Sequence, residues 1–352
     1  MKTVTVKANS KTYPVLIGNG IMDECGNLTK NITATRYAAI ITDDIVDGLY
    51  SARLISSLNK AGFKTVKYVI QNGEHSKNTE NYVKILEFLA ESGLTRSDIV
   101  IALGGGVVGD IAGFAAASYL RGVHFIQVPT TLLACVDSSV GGKTGINLKK
   151  GKNLAGAFYQ PDLVVCDPLL LSTLPENIFS DGCAEVIKYA VIRDKSLFEL
   201  LKLPIKPHIE EIIARCVKIK SSIVEADEYD TWERQILNFG HTFGHAIEKC
   251  SGYAVSHGSA VAIGMAIMAL AAADKGICEK DCPAEIINMV KSYGLPYKTD
   301  YSADALFDVL LADKKRLGET ITLVVPQRIG ECILKKVPVS EVKDFLYSAM
   351  KG

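Results

Sequence analysis

Three of the six histidines fall between positions 241 and 257, and the residues around them could do chemistry. In Arg234-Gln-Ile-Leu-Asn238-Phe-Gly-His241-Thr-Phe-Gly-His245, a helix turning about 100° per residue would place Arg234, Asn238, His241 and His245 within roughly 60° of one another. Phe239, Phe243 and Ile247 would take the opposite side. A solvated face ordinarily carries Lys and Glu. Asn and His are poor helix formers, and Gly240 and Gly244 each lose about 1 kcal/mol relative to Ala. A stretch that accepts those losses points to a site, with imidazoles to hold a metal and donors beside them. Glu185 and Lys188 lie three apart among Ala184, Val186, Ile187, Ala190 and Val191. They read either as an exposed pair worth a few tenths of a kcal/mol or as a carboxylate ligand with a neighbouring cation. Two histidines and one glutamate leave zinc an open position, as catalytic sites require. Spacing does not choose among His241, His245 and His257, and the i,i+4 pair is the simplest choice.

A second group is built on glycine. Gly104-Gly-Gly106-Val-Val-Gly109-Asp110 follows an apolar strand and opens a helix. Glycines let a backbone approach a pyrophosphate, and a helix N-terminus favours its charge. The acidic residue expected about 20 positions on is missing, and the motif lies late in the domain, so this is not an ordinary dinucleotide fingerprint. A tight connection is the plainer alternative. Gly141-Gly142-Lys143-Thr144 resembles the end of a P-loop, but Asp137 stands where that motif needs glycine. Lys143, Lys149, Lys150 and Lys152 are then solvated surface, or point charges for a small phosphorylated ligand.

The elements that must position these residues fall into two sets. Short apolar runs at Thr3–Val6, Tyr13–Ile17, Tyr37–Thr42, Thr65–Ile70, Ile99–Leu103, Phe125–Val128 and Leu163–Cys166 alternate with helical patterns such as Asn81–Glu91 and Val107–Ala117. That alternation predicts an α/β domain with a largely parallel sheet, whose carboxyl edge is the usual place for a dinucleotide. After Asp167 the pattern turns helical: Ser180 or Asp181 can cap a helix through Glu185, and Ile209–Ile223, Arg234–Lys249, Gly258–Lys275, Ala284–Ser292 and Ala303–Leu311 follow. Only Thr320–Val325 and Glu331–Lys335 look extended. The expected division is an α/β domain over 1–172 and a mainly helical domain over 173–352.

Composition bounds the function. Of 352 residues, 48% are hydrophobic, enough for a sizeable core. Basic and acidic residues number 39 each, which argues against nucleic acid or a membrane surface as partner. The apolar run Ala260–Ala273 is too short to span a bilayer, and the N-terminus lacks the apolar core of a signal peptide. Nine scattered cysteines without CxxC suit a reducing, cytoplasmic setting.

Longer blocks carry a resemblance. Leu103–Gly122, Gln127–Lys143, Gly151–Phe158, Asp181–Lys188 and Asn238–Glu248 resemble the 3-dehydroquinate synthase family of the sugar-phosphate cyclase group. The resemblance implies an NAD-binding domain and a helical domain with the active site between them, in a homodimer. By matching positions it implies zinc or cobalt on Glu185, His241 and His257, with His245 a phosphate contact, against the simplest choice from spacing. Lys152, Asn153 and Lys314 of the Lys314–Lys315 pair would share the phosphate, and Arg121 would reach it from a partner subunit. Asp137, Lys143, Lys188, Lys220, Arg234 and Asn238 match residues that hold hydroxyls and a carboxylate. The NAD set would be Asp43, Glu74, Lys77, Gly105, Gly106, Val107, Asp110, Thr130, Thr131, Thr173 and Leu174, together with Lys143 and Lys152. Ile45, Tyr229, Asp230 and Trp232 depart from the family's pattern. The implied reaction converts 3-deoxy-D-arabino-heptulosonate 7-phosphate to 3-dehydroquinate and phosphate by transient oxidation, elimination, re-reduction and aldol closure. Another sugar-phosphate cyclase and a metal-dependent polyol or glycerol-phosphate dehydrogenase are the alternatives.

Overall fold

Continuous apolar runs become strands covered on both faces. The structure, a computed structural model, describes residues 1–317 and 319–350, without the side chains of 313–317. Nine strands fall in its first half: β1 (Lys2–Lys7), β2 (Thr12–Ile17), β3 (Tyr37–Asp43), β4 (Lys64–Ile70), β5 (Ile99–Gly104), β6 (His124–Pro129), β7 (Lys143–Leu148), β8 (Gly151–Phe158) and β9 (Leu163–Cys166). Seven of them form one sheet in the order β1-β2-β9-β6-β5-β3-β4. Only the β1–β2 pair is antiparallel. Because side chains alternate along a strand, Ile40, Ile101 and Val128 enter one core while Ile41, Val100 and Phe125 enter the other. The sheet is therefore covered on both faces.

The chain divides into two compact units, but not at one boundary near residue 172. Met1–Leu174 and Ile209–Tyr229 form the first, and Pro175–His208 and Asp230–Gly352 the second. The helix Ile209–Ala226 returns to the first unit because it lies on β1, where Ser221 Oγ donates to the Thr5 carbonyl at 3.2 Å. The glycine- and lysine-rich stretch from Lys143 forms the β7–β8 hairpin, which no strand signal in the sequence announced. A Cβ on Gly145 would meet the Ala155 carbonyl at 2.7 Å, so close backbone approach requires glycines that weaken the strand signal.

The described residues of the second unit are mainly helical, with one antiparallel hairpin of β10 (Thr320–Arg328) and β11 (Glu331–Pro338). Its central helix is His257–Asp274, with Val261, Met265 and Met268 among its buried residues. By length and composition that helix could cross a membrane, yet here it is the core of the unit. The helix expected over 234–249 is two elements: a 3-10 segment Glu233–Asn238 and an α-helix His241–Cys250. Gly240 separates them at φ 79°, a conformation that disfavours any residue with a Cβ. Arg234 and Asn238 therefore do not share a helical stripe with His241 and His245. The helix through Glu185 starts at Glu176, ahead of Ser180 and Asp181.

Candidate functional site

In the first unit, the residues expected at NAD follow the carboxyl ends of parallel strands. Asp43 ends β3, Gly105 follows β5, and Thr130 and Thr131 follow β6. Register keeps them level, since Thr42 pairs with Leu103 and Gly104 with Pro129. Gly105 is the N-cap of the helix Gly106–Ser118, and no side chain caps that end. Gly105, Gly106 and Val107 stay partly exposed while Gly104 and Val108 are buried, which leaves main-chain donors accessible to an anion. Thr130 is 2% exposed and its Oγ1 has no hydrogen-bond partner. These features fit a dinucleotide. The glycines also have a packing reason: a Cβ on Gly104 would meet Val108 at 2.6 Å, and one on Gly109 would meet Gln127 Oε1 at 2.8 Å. The tight-connection reading of the glycine motif therefore holds.

A polar chain runs outward from this edge. Lys77 Nζ reaches Asp110 Oδ2 at 2.7 Å and lies 3.7 Å from Glu74. Asn147 Nδ2 donates to Glu74 Oε1 at 2.7 Å, and Asn153 N donates to Asn147 Oδ1 at 2.8 Å. Burial raises the Asp110 pKa, against the pull of Lys77. Asp43 caps the next segment, accepting from Ile45 N and Val46 N at 3.1 and 2.9 Å, while burial raises its pKa. Thr173 Oγ1 lies 2.5 Å from the Tyr50 hydroxyl, and Leu174 is the last residue before the chain leaves the unit. Asp137 and Lys220 meet directly, and Lys220 also donates to the Asp137 carbonyl at 2.7 Å. Lys143 opens β7, Lys152 and Asn153 begin β8, and Gly141 and Gly142 lead into a strand rather than the helix of a P-loop. Arg121 is exposed, in a turn with φ 66°.

In the second unit three helices each contribute one candidate ligand. Glu185 is 1% exposed on the helix Glu176–Arg193. Its Oε1 lies 3.4 Å from His241 Nε2 and 3.3 Å from His257 Nε2, and its Oε2 lies 2.5 Å from Lys188 Nζ. One potential ligand atom from each of Glu185, His241 and His257 falls within 4.8 Å of the others. A buried carboxylate converging with two imidazole nitrogens fits a divalent metal. Burial opposes the Glu185 charge, but Lys188 and His241 hold its carboxyl well below the usual range. Burial likewise lowers the His257 pKa, but hydrogen bonds to Glu185 and Glu248 carry it up to about 10.

Glycine sets this convergence. A Cβ on Gly240 would meet Val261 O at 2.6 Å, one on Gly244 would meet Ala260 O at 3.0 Å, and one on Gly264 would collide with the Gly240 carbonyl. The helices carrying His241 and His257 can therefore pack backbone to backbone, with their rings 5.3 Å apart. Their glycines serve packing first, and the ligand geometry follows from it. Asp181 does not cap its own helix. One turn before Glu185, it accepts from Gly258 N at 3.0 Å and Ser259 N at 2.9 Å, capping the helix that begins with His257. Sequence reasoning missed this role and also Glu248, which lies 3.4 Å from His257 Nδ1. Glu248 is seven residues after His241, two turns along the same face, and that spacing could have found it. His245 is exposed, its ring 5.5 Å from that of His241. Arg234 is 2% exposed and Asn238 exposed, both on the preceding 3-10 segment. Lys314 and Lys315 lie outside the described side chains.

Comparison with known proteins bears on these two sets. The family model described as 3-dehydroquinate synthase N-terminal matches residues 67–181, and the one described as 3-dehydroquinate synthase C-terminal matches 182–316. The chain belongs to the 3-dehydroquinate synthase family. A curated 3-dehydroquinate synthase of Enterococcus faecalis is 43% identical over 350 residues, covering 97% of this chain and 98% of its own. That of Clostridium acetobutylicum is 42% identical over 353 residues, covering 98% and 99%. Among solved structures, 2-deoxy-scyllo-inosose synthase complexed with carbaglucose-6-phosphate, NAD+ and Co2+ superposes with TM-score 0.87 at 25% identity, over 98% of this chain and 99% of that one. An iron-containing alcohol dehydrogenase shares the fold at TM-score 0.65 and 16% identity, over 96% and 97%. Of the four positions expected to depart from the family's pattern, Ile45, Tyr229 and Trp232 are 57%, 53% and 58% exposed, and Asp230 is half-buried. Tyr229 packs edge-on against Phe158, with centroids 5.3 Å apart, and Asp230 adopts φ 60°.

Proposed function

We propose that this enzyme is an NAD- and metal-dependent carbon–oxygen lyase converting 3-deoxy-D-arabino-heptulosonate 7-phosphate to 3-dehydroquinate and phosphate. The convergence of Glu185, His241 and His257 in a member of this family is the observation that carries the proposal. When bound, NAD takes up and returns a hydride, and zinc or cobalt acidifies the alcohol on the reacting carbon. The chain's own residues supply orientation and fixed charge. Glu185, His241 and His257 hold the metal. In the second unit, Lys188 stands beside the centre to hold a substrate hydroxyl and Arg234 to pair with the carboxylate, with Asn238 donating to the oxygens. His245, exposed beside His241, serves the departing phosphate. In the first unit Asp137, Lys143 and Lys220 serve hydroxyls, Lys152 and Asn153 the phosphate, and the strand-edge set from Asp43 to Leu174 the dinucleotide. Lys314, and Arg121 of a second subunit in a homodimer, complete the phosphate set. The free thiols, most of them buried, suit a cytoplasmic enzyme.

Phosphate release from the substrate tests the reading. Release should continue for many turnovers on a trace of NAD, without NADH accumulating, and should stop with a chelator. NADH rising in step with product would instead mark a net dehydrogenase.

A further inference from the structure

We propose that Glu248 is a positioning residue of the metal centre, its buried carboxylate fixing the tautomer and ring orientation in which His257 presents Nε2 to the ion. The proposal rests on Glu185, His241 and His257 being the ligands. The two nitrogens of His257 face different carboxylates: Nε2 lies 3.3 Å from Glu185 Oε1, and Nδ1 lies 3.4 Å from Glu248 Oε2. A neutral imidazole carries one N–H. Donating it from Nδ1 to Glu248 leaves the Nε2 lone pair aimed at the metal. His241 reaches the same tautomer by another route, since its Nδ1 lies 3.1 Å from the Phe239 carbonyl and its Nε2 3.4 Å from Glu185 Oε1. That acceptor is neutral main chain, two residues away. Only the His257 acceptor is charged and comes from another helix.

Glu248 is 5% exposed. A carboxylate this buried is costly unless its charge is met. The His257 imidazole is one of the groups that meet it. Asp181 fixes where the His257 helix begins, through Gly258 N and Ser259 N, and leaves the ring to be set by Glu248. A charged acceptor also makes the ligand nitrogen more basic. His245, Glu248 and His257 are close enough to hold a cation of their own, so stoichiometry must be part of the test.

The test strips the full-length protein with a chelator and titrates zinc against a competing indicator, for the parent, Glu248→Ala, Glu248→Gln and His257→Ala. The parent should bind one equivalent. Glu248→Ala should weaken zinc binding about 10- to 100-fold, and Glu248→Gln less, because its amide oxygen still accepts from Nδ1 without the charge. The visible spectrum of the cobalt-loaded protein should shift in Glu248→Ala, while the metal-free Gln variant melts within about 3 °C of the parent. Zinc affinity within about threefold of the parent for both Glu248 variants, with an unchanged cobalt spectrum, overturns the proposal. So does a second equivalent in the parent that Glu248→Ala abolishes. If Glu248→Ala fails to fold, the Gln variant decides: parental affinity overturns, and weakened affinity with an intact melt supports. Undiminished binding by His257→Ala overturns the ligand set itself, and this inference with it.

Discussion

In the first unit, the candidate nucleotide contacts follow the ends of neighbouring parallel strands, and their donors are largely main chain: Gly105, Gly106 and Val107 at an uncapped helix start. In the second, single side chains from three helices meet, each placed by something other than itself: Glu185 by Lys188, His241 by the Gly240 break, His257 by Asp181 and Glu248. The first arrangement spreads recognition over many weak contacts that a strand edge supplies together. The second concentrates it in three groups. Loss of one residue should therefore be graded in the first unit and close to complete in the second.

The sharpest way to break that contrast is His257→Ala. Metal measured by elemental analysis should fall below stoichiometric, and phosphate release should drop about a thousandfold or more. Retention of both would remove the distinction between the units. Next comes Gly264→Ala, whose Cβ has no space beside the Gly240 carbonyl. Urea unfolding should show a loss of about 3 kcal/mol. Gly105→Ala, whose nearest neighbour would be the Thr131 methyl at 3.0 Å, should lose about 1 kcal/mol or less. Equal losses would mean that glycine packing matters alike in both units. Asp110→Asn weakens the charge partner of Lys77, which is 4% exposed, and should weaken NAD about tenfold in a fluorescence titration, with metal content intact.

The pH dependence of metal uptake has a definite sign. His257 in the metal-free chain is raised to about 10 by Glu185 and Glu248, against burial. Near pH 7 it carries a proton that the metal must displace. Calorimetry in buffers of different ionisation enthalpy should show about one proton released per zinc, and affinity weakening about tenfold for each unit of falling pH. Uptake without proton release would mean that His257 is not a ligand. Smallest of all, Trp232→Ala, at a side chain 58% exposed, should change unfolding free energy by no more than about 0.5 kcal/mol.

The sheet was readable because strands buried on both faces write themselves as unbroken apolar runs, as at Tyr37–Thr42 and Ile99–Leu103. The β7–β8 hairpin was not, because Gly145 and Gly156 bring its backbones together by lacking the side chains that mark a strand. At 234–249 the α-helical period holds only after Gly240, since the chain before it is a 3-10 segment, and periodicity carries no signal of a φ reversal. The candidate metal centre was half legible. Residue types showed that imidazoles and a carboxylate were available, while which imidazoles converge depends on how two helices pack at Gly240, Gly244 and Gly264. Family resemblance pointed to His257, and Asp181, whose partners lie 75 or more residues away, was beyond any local pattern.

The return of Ile209–Tyr229 to the first unit has a consequence for how the protein is made. A ribosome that has delivered only the segment ending at Leu174 has not delivered the helix that covers β1, although every strand of the large sheet is already synthesised. The amino-terminal half must wait with that surface bare until translation has passed Tyr229, so a fragment stopped at the apparent boundary would expose an apolar strip to chaperones and neighbouring chains.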